Sequence, residues 1–199
     1  ADMVEFIKNT GIPFVIFGRD GAPYGMSGVD ADEEYGGRLA GEHLLACGYK
    51  KFAYIGSWHD VKVCLDRQHG FAAALRQGGA ELLPENVFYA REAEFSDIIG
   101  AIVAGGVDGI FCFNDIIAFM ALEALGSRGL EAGADFGLVG YDNIQQMMRM
   151  PRIITTIDVG INDFAVCGAE QMLKLLAGEQ IAPFRSNHRT VLVKGGSTR

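Results

Sequence analysis

The feature that most constrains this chain is a regular alternation, from end to end, of segments with helical apolar spacing and short, continuously apolar runs, most of them separated by glycine. Runs of that kind are strands buried on both faces, and their alternation with helices is the pattern of a parallel sheet covered by helices. Met3 to Lys8 predicts a helix that stops at Gly11 and leads through Pro13 into a strand over Phe14 to Phe17. Asp30 or Asp32 is placed to cap a helix with an acidic first turn that ends near Cys47 and Gly48. Further strands are predicted over Lys51 to Gly56, Val87 to Tyr89, Gly109 to Phe113, Phe136 to Gly140, Ile153 to Ile157 and Thr190 to Val193. Helices are expected around Arg67 to Arg76, from Phe95 to Gly105, from Asn114 or Asp115 to Gly126, and from Asp163 to Leu176.

At 199 residues with 49% hydrophobic content, the chain is long enough to bury a sizeable core without staples. Seventeen basic against 25 acidic residues give a net charge of −8, the wrong sign for a surface that neutralises phosphates, so these residues are not expected to bind nucleic acid themselves. The cysteines Cys47, Cys64, Cys112 and Cys167 stand singly, which reads as free thiols in a reducing, cytoplasmic setting rather than a disulfide or zinc framework. No run is long enough to span a membrane and no export signal is visible, although the sequence opens on Ala1 and a segment removed upstream is compatible with that.

Ligands of open α/β sheets bind beyond the carboxyl ends of the strands, so the residues that follow each strand are the candidates for chemistry. They are Arg19 and Asp20, Ser57 to Lys62, Asn114 and Asp115, and Asp142 with Asn143. Carboxylates, an amide and a guanidinium converging on a crevice suit a polyol, whose hydroxyls need donors and acceptors in fixed directions. Helix capping explains Asn114 and Asp115 equally well, and a turn explains Asp142. Nothing resembles a phosphate loop, a nucleophile elbow or a zinc helix, and His43, His59, His69 and His188 are scattered. No catalytic residue, metal site or cofactor is therefore expected. Trp58 either lines a pocket or packs.

Several strings, in this order and spacing, resemble the lactose-repressor (LacI) family of transcription regulators, in the effector-binding part that shares the periplasmic sugar-binding-protein fold. They are Gly11-Ile-Pro-Phe-Val; Val29-Asp30 with Gly36-Gly37 and Leu44-Leu45-Ala-Cys-Gly48; Arg67-Gln-His-Gly-Phe71; Phe113-Asn114-Asp115 with Ala118; Leu138-Val-Gly-Tyr-Asp142-Asn143; Pro151 before Thr155-Thr156-Ile157; and Leu192-Val193. The resemblance implies two Rossmann-like lobes with parallel sheets and an effector held between them. Strand crossovers would fall near 28–31, 157–159 and 182–188. Residues 1–29 and 158–185 would be what this chain contains of the amino-terminal lobe, and 30–157 with 186–199 the carboxy-terminal lobe. It further implies that Arg67 grips effector hydroxyls or carboxylate, that Asp142 is its acidic partner with Asn114 and Asp115 beside it, and that Phe95 lays a ring against the ligand. Val61 and Val63 stand where relatives place polar contacts.

The family's helix-turn-helix headpiece and hinge have no counterpart here, so operator DNA would be bound through a segment outside these residues. The truncated sheet of the amino-terminal lobe is expected to leave apolar surface uncovered. The resulting expectation is a non-enzymatic, homodimeric sensor of a small molecule, a sugar or sugar derivative, with no membrane partner. The alternative is the sugar-binding protein of a transporter. Arg67 and Asp142 are expected in a solvated crevice, dispensable for folding.

Overall fold

The structure is a computed structural model that describes residues 3–18, 25–91, 93–179 and 185–199. In chain order the elements are α1 (Met3–Asn9), β1 (Ile16–Phe17), β2 (Gly28–Ala31), α2 (Glu33–Ala46), β3 (Phe52–Gly56), α3 (Lys62–Gln77), β4 (Val87–Tyr89) and α4 (Phe95–Gly105). They continue with β5 (Gly109–Cys112), α5 (Asp115–Gly126), β6 (Gly137–Tyr141), α6 (Ile144–Met147), β7 (Thr155–Asp158), α7 (Ile161–Leu176), β8 (Arg185–His188) and β9 (Val191–Val193). The chain divides into two compact units, one formed by Ala1–Asp32 with Val159–Arg189, the other by Glu33–Asp158 with Thr190–Arg199. Arg19 and Asp20, and part of the 182–188 crossover, lie outside the described residues.

The larger unit is built on a six-stranded sheet in the order β4-β3-β5-β6-β7-β9. Its strands alternate cleanly because successive side chains of a strand point to opposite faces. Ala53, Ile55, Ile110, Cys112 and Leu138 point to one face, where Ile98, Ile99 and Ile102 of α4 and Ile117, Ala118, Ala121 and Leu125 of α5 close a dry core. Phe52, Tyr54, Phe111 and Tyr141 alternate with them, and Phe71 of α3 stacks on Phe52 and Phe111 with ring centres 6.3 and 5.2 Å apart. Side chains of this size, fully buried, each contribute roughly 1.5–3 kcal/mol. The helix α4 ends on Gly106 in the left-handed region, a conformation glycine adopts at no steric cost.

Helices α2 and α3 lie unusually close because glycines face the contact. A Cβ on Gly37 would stand 2.0 Å from the Arg67 carbonyl oxygen, and one on Gly70 only 1.8 Å from that of Glu34.

One strand corrects the expectation of purely parallel sheets: β9 runs antiparallel to β7, with Asp158 opposite Val191. The reason is topological. The chain leaves the larger unit at the carboxyl end of β7 and re-enters it at Thr190, at that same end, so its next strand can only run back. Beyond β9 the tail is clipped to the sheet. Ser197 Oγ donates to the Leu138 carbonyl and accepts the Thr155 N–H, while His43 Nε2 and Thr155 Oγ1 both meet Thr198 Oγ1 at 2.8 Å.

The smaller unit has a three-stranded parallel sheet, β1-β2-β8, with α7 packed on it. Phe17 stacks on Phe164, and Gly168 leaves space for the Phe17 ring. This unit exposes much apolar surface: Phe17, Val166, Leu173 and Leu176 are each half or more exposed. Between β1 and α7 lies a groove lined by Val15, Phe17, Phe164, Ala165, Ala169 and Met172. All four cysteines are free.

Candidate functional site

The polar residues that follow β3, β5 and β6 gather at one end of the larger unit's sheet, with Arg67 at the centre. On α3 the residues Cys64, Arg67, Gly70, Phe71, Ala74 and Leu75 are buried, which is one helical face. Arg67 is therefore carried inward, and its side chain is 6% exposed. Its Nε–H donates to Glu33 Oε2 at 2.6 Å, and an Nη1–H donates to the Phe113 carbonyl at 2.5 Å. The guanidinium carbon lies 3.6 Å from the ring centre of Tyr141 and 4.5 Å from that of Phe113.

This corrects the expectation that Arg67 stands in a solvated crevice, dispensable for folding. Its i+4 relation to Phe71 sets it on the core face, and a charge there persists only when paired and hydrogen-bonded. Burial alone would lower its pKa. The charge and hydrogen bond of Glu33 more than offset that, so the group is held cationic above its ordinary value.

Asp142 follows β6 and places Oδ1 3.6 Å from Arg67 Nη2, with its side chain 38% exposed. Burial raises its pKa and the Glu33 charge adds to this, while Arg67 opposes both. Its backbone has φ 92°, and Asn143 has φ 53°, both in the left-handed region where a non-glycine residue stores strain. The turn is held from several sides. The Asp142 N–H donates to the Ile157 carbonyl, and Asn143 Nδ2 donates to Asp158 Oδ2 at 2.8 Å and Gln146 Oε1 at 2.9 Å.

Asn114 caps α5: its Oδ1 accepts the Ile117 N–H at 3.0 Å. That bond uses the carbonyl oxygen of the amide and not its NH2. Asp115, expected among the ligand contacts, is instead fully buried with both oxygens engaged by the protein. Oδ1 accepts from Thr156 Oγ1 at 2.6 Å and Oδ2 from the Ile144 N–H at 2.9 Å. It thereby ties α5 to the turn after β6. Burial pushes its carboxyl up to about 6, against those two hydrogen bonds, which favour the charged form. Gly140 leaves the space it fills, since a Cβ there would meet Asp115 Oδ1 at 2.1 Å.

Phe95, at the start of α4, is half-buried against the core and borders a shallow depression with Ala90, Arg91 and Glu94. Trp58, after β3, is partly exposed with the Arg91 guanidinium 5.8 Å from its ring centre. Val61 is exposed and Val63 half-buried, so neither adds a polar group to this edge.

Sequence reasoning missed Glu33, Phe113 and Tyr141. Glu33 in a helix's first turn is already explained by the helix dipole. The one signal pointing further was the Gly36-Gly37 pair inside that helix, which marks a close approach to another element. Among the described residues no group of three His, Cys, Asp or Glu is placed to hold a metal ion, and no helix is long and apolar enough to cross a membrane.

A helix-covered, mostly parallel sheet with polar residues gathered at its carboxyl edge and a reversed final strand defines a periplasmic-binding-protein-like α/β fold. The chain belongs to the family described as the periplasmic binding protein-like domain, whose profile matches residues 42–198. It is 32% identical over 162 residues to the HTH-type transcriptional repressor PurR of Aliivibrio salmonicida (strain LFI1238), covering 78% of this chain and 48% of that protein. The chain thus spans about half the length of that relative.

Among solved structures it superposes on the transcriptional regulator CelR in complex with cellobiose, with TM-score 0.81, 25% identity, and coverage of 94% of this chain and 59% of that one. The fold is shared also with a LacI family transcriptional regulator from Enterococcus faecium with bound ribose, at TM-score 0.83, 24% identity, and coverage of 98% and 74%. The curated relatives are named as transcriptional repressors, and the fold is that of LacI-family transcriptional regulators.

Proposed function

We propose that this chain is the effector-sensing part of a LacI-family transcription regulator, that its effector is a small polyol, a sugar or sugar derivative, and that it has no enzymatic role. The observation that carries the reading is the arrangement around Arg67. A guanidinium fixed by Glu33 and the Phe113 carbonyl stands beside the partly open Asp142 carboxylate, at the carboxyl edge of the sheet. Donor and acceptor side by side, both held rigid, match vicinal hydroxyls. Asn114 supplies its amide NH2 and Phe95 an apolar plane.

In this reading the effector binds one conformation of a homodimeric regulator better than another, and so changes its affinity for operator DNA. DNA contact is made by a segment outside these residues. The test is a thermal-shift panel of monosaccharides, disaccharides, nucleosides and sugar phosphates. A ligand at ~100 times its Kd adds about 2.7 kcal/mol, or roughly 5–10 °C for a chain of this size. Such a shift with one sugar class, lost in Asp142→Ala, is the expected result; a shift that Asp142→Ala leaves intact removes the site assignment.

A further inference from the structure

The Arg67 cluster does more than offer a donor. A guanidinium is an anion receptor when its charge is open, because its parallel N–H pairs match a carboxylate or phosphate. Here that charge is already spent. Glu33, 9% exposed, takes the Nε–H at 2.6 Å, and Asp142 stands 3.6 Å from Nη2. Asp115 adds a third carboxyl close enough for Asp142 to act on it through charge. Lys62, at the start of α3, is itself paired with Asp66.

Around Arg67, among the described residues, the balance is thus one guanidinium against Glu33 and Asp142, with Asp115 behind them, while the Arg91 guanidinium at the same sheet edge lies against Trp58. A ligand anion placed against Asp142 would meet surplus negative charge at low dielectric. Hydroxyl or ammonium groups would meet acceptors and a neutralised donor.

We propose that Glu33 is a specificity-determining positioning residue: by neutralising Arg67 it turns an anion receptor into a donor for uncharged or aminated polyols, so that the site turns away carboxylated and phosphorylated ones. The inference rests on the effector-sensor reading and deepens it by naming the ligand's charge class. Glu33 does not have to touch the ligand. It acts through the guanidinium, by holding its orientation and cancelling its charge.

The test uses Glu33→Gln, which keeps an acceptor for the Arg67 Nε–H and removes the charge. The probes are inorganic phosphate and the matched set D-galactose, D-galactosamine and D-galacturonate, read by calorimetric titration and melting temperature at pH 7. Removing one negative charge about 6–12 Å from a bound anion, at an effective dielectric constant near 20, raises anion affinity by about tenfold to hundredfold. Phosphate is therefore expected to bind Glu33→Gln at least tenfold more tightly than wild type, and the gain is expected to vanish in Glu33→Gln/Arg67→Met. A merely structural role for Glu33 would lower every affinity together and would create no anion binding.

Equal phosphate binding by wild type and Glu33→Gln overturns the proposal. The wild-type arm needs no variant: phosphate or galacturonate stabilising wild type more than galactose or galactosamine does overturns it as well. The phosphate gain is read without any natural effector, so failure of every neutral sugar to bind wild type counts against the sugar-sensor reading alone.

Discussion

Gly70→Ala isolates the physical basis of the α2 and α3 contact. The new Cβ would stand 1.8 Å from the Glu34 carbonyl oxygen, 2.7 Å from its carbon and 3.0 Å from the Arg38 nitrogen, all backbone atoms that no rotamer change can move. Relief requires the helices to part by roughly 1.6 Å, which strips dispersion contacts along the interface and loosens Glu33 from Arg67. Overpacking of this kind costs about 3 kcal/mol, offset by about 1 kcal/mol because alanine is the better helix former. The net is about 2 kcal/mol, a fall in Tm of roughly 4–8 °C.

The control is Gly100→Ala on α4, exposed and with nothing within 4 Å of the added carbon. There only the propensity gain remains, so Tm is expected to rise by roughly 1–4 °C. Differential scanning calorimetry of the two variants decides the matter. A Gly70→Ala protein that melts at or above wild type would falsify the argument from close backbone approach.

Arg67→Met leaves Glu33 buried without its partner and is expected to cost about 3–5 kcal/mol, measured as a shift of the urea midpoint; a loss below 1 kcal/mol would show that the pair is not structural. Asp115 is held at about 6 in the folded chain, above the ordinary carboxylate value, so the native state binds its proton more tightly than the unfolded chain. Its contribution to stability is then largest at low pH and declines as pH rises from about 4 to 6, by ~3 kcal/mol in all. Urea midpoints of wild type minus Asp115→Asn across that window should show this slope, and a flat difference contradicts it. Ser197→Ala removes both side-chain hydrogen bonds of Ser197 to the sheet and is expected to cost about 1–3 kcal/mol, read by hydrogen exchange at Thr155 as well as by Tm. The apolar groove beside α7 should bind a hydrophobic dye, with the signal reduced in Phe17→Ser; an unchanged signal would place the dye elsewhere.

The alternation of helical and apolar strand segments made the α/β class legible, and glycines marked helix ends such as Gly106. Short polar elements were not legible: α6 is four residues, and Arg185–His188 carries no apolar pattern and pairs with β2 through the backbone. Of the candidate site, the strand-end rule picked out Asn114, Asp115 and Asp142, but it could not tell that Asp115 faces inward and Asp142 outward. Those two carboxyls look alike in a string of letters. They differ because Thr156 and Ile144 come from elsewhere to occupy one of them.

Periodicity and turn chemistry are local, and they determined by themselves the longer helices, the apolar strands and the residues that follow those strands. Only the tertiary structure decided that β9 reverses, that Arg67 is buried, and that Glu33, 34 residues earlier in sequence, is the carboxylate that meets it. Pairing across such distances depends on how closely α2 and α3 approach, and that is set jointly by Gly37, Gly70 and the backbone opposite each of them. No single stretch of the chain contains that information.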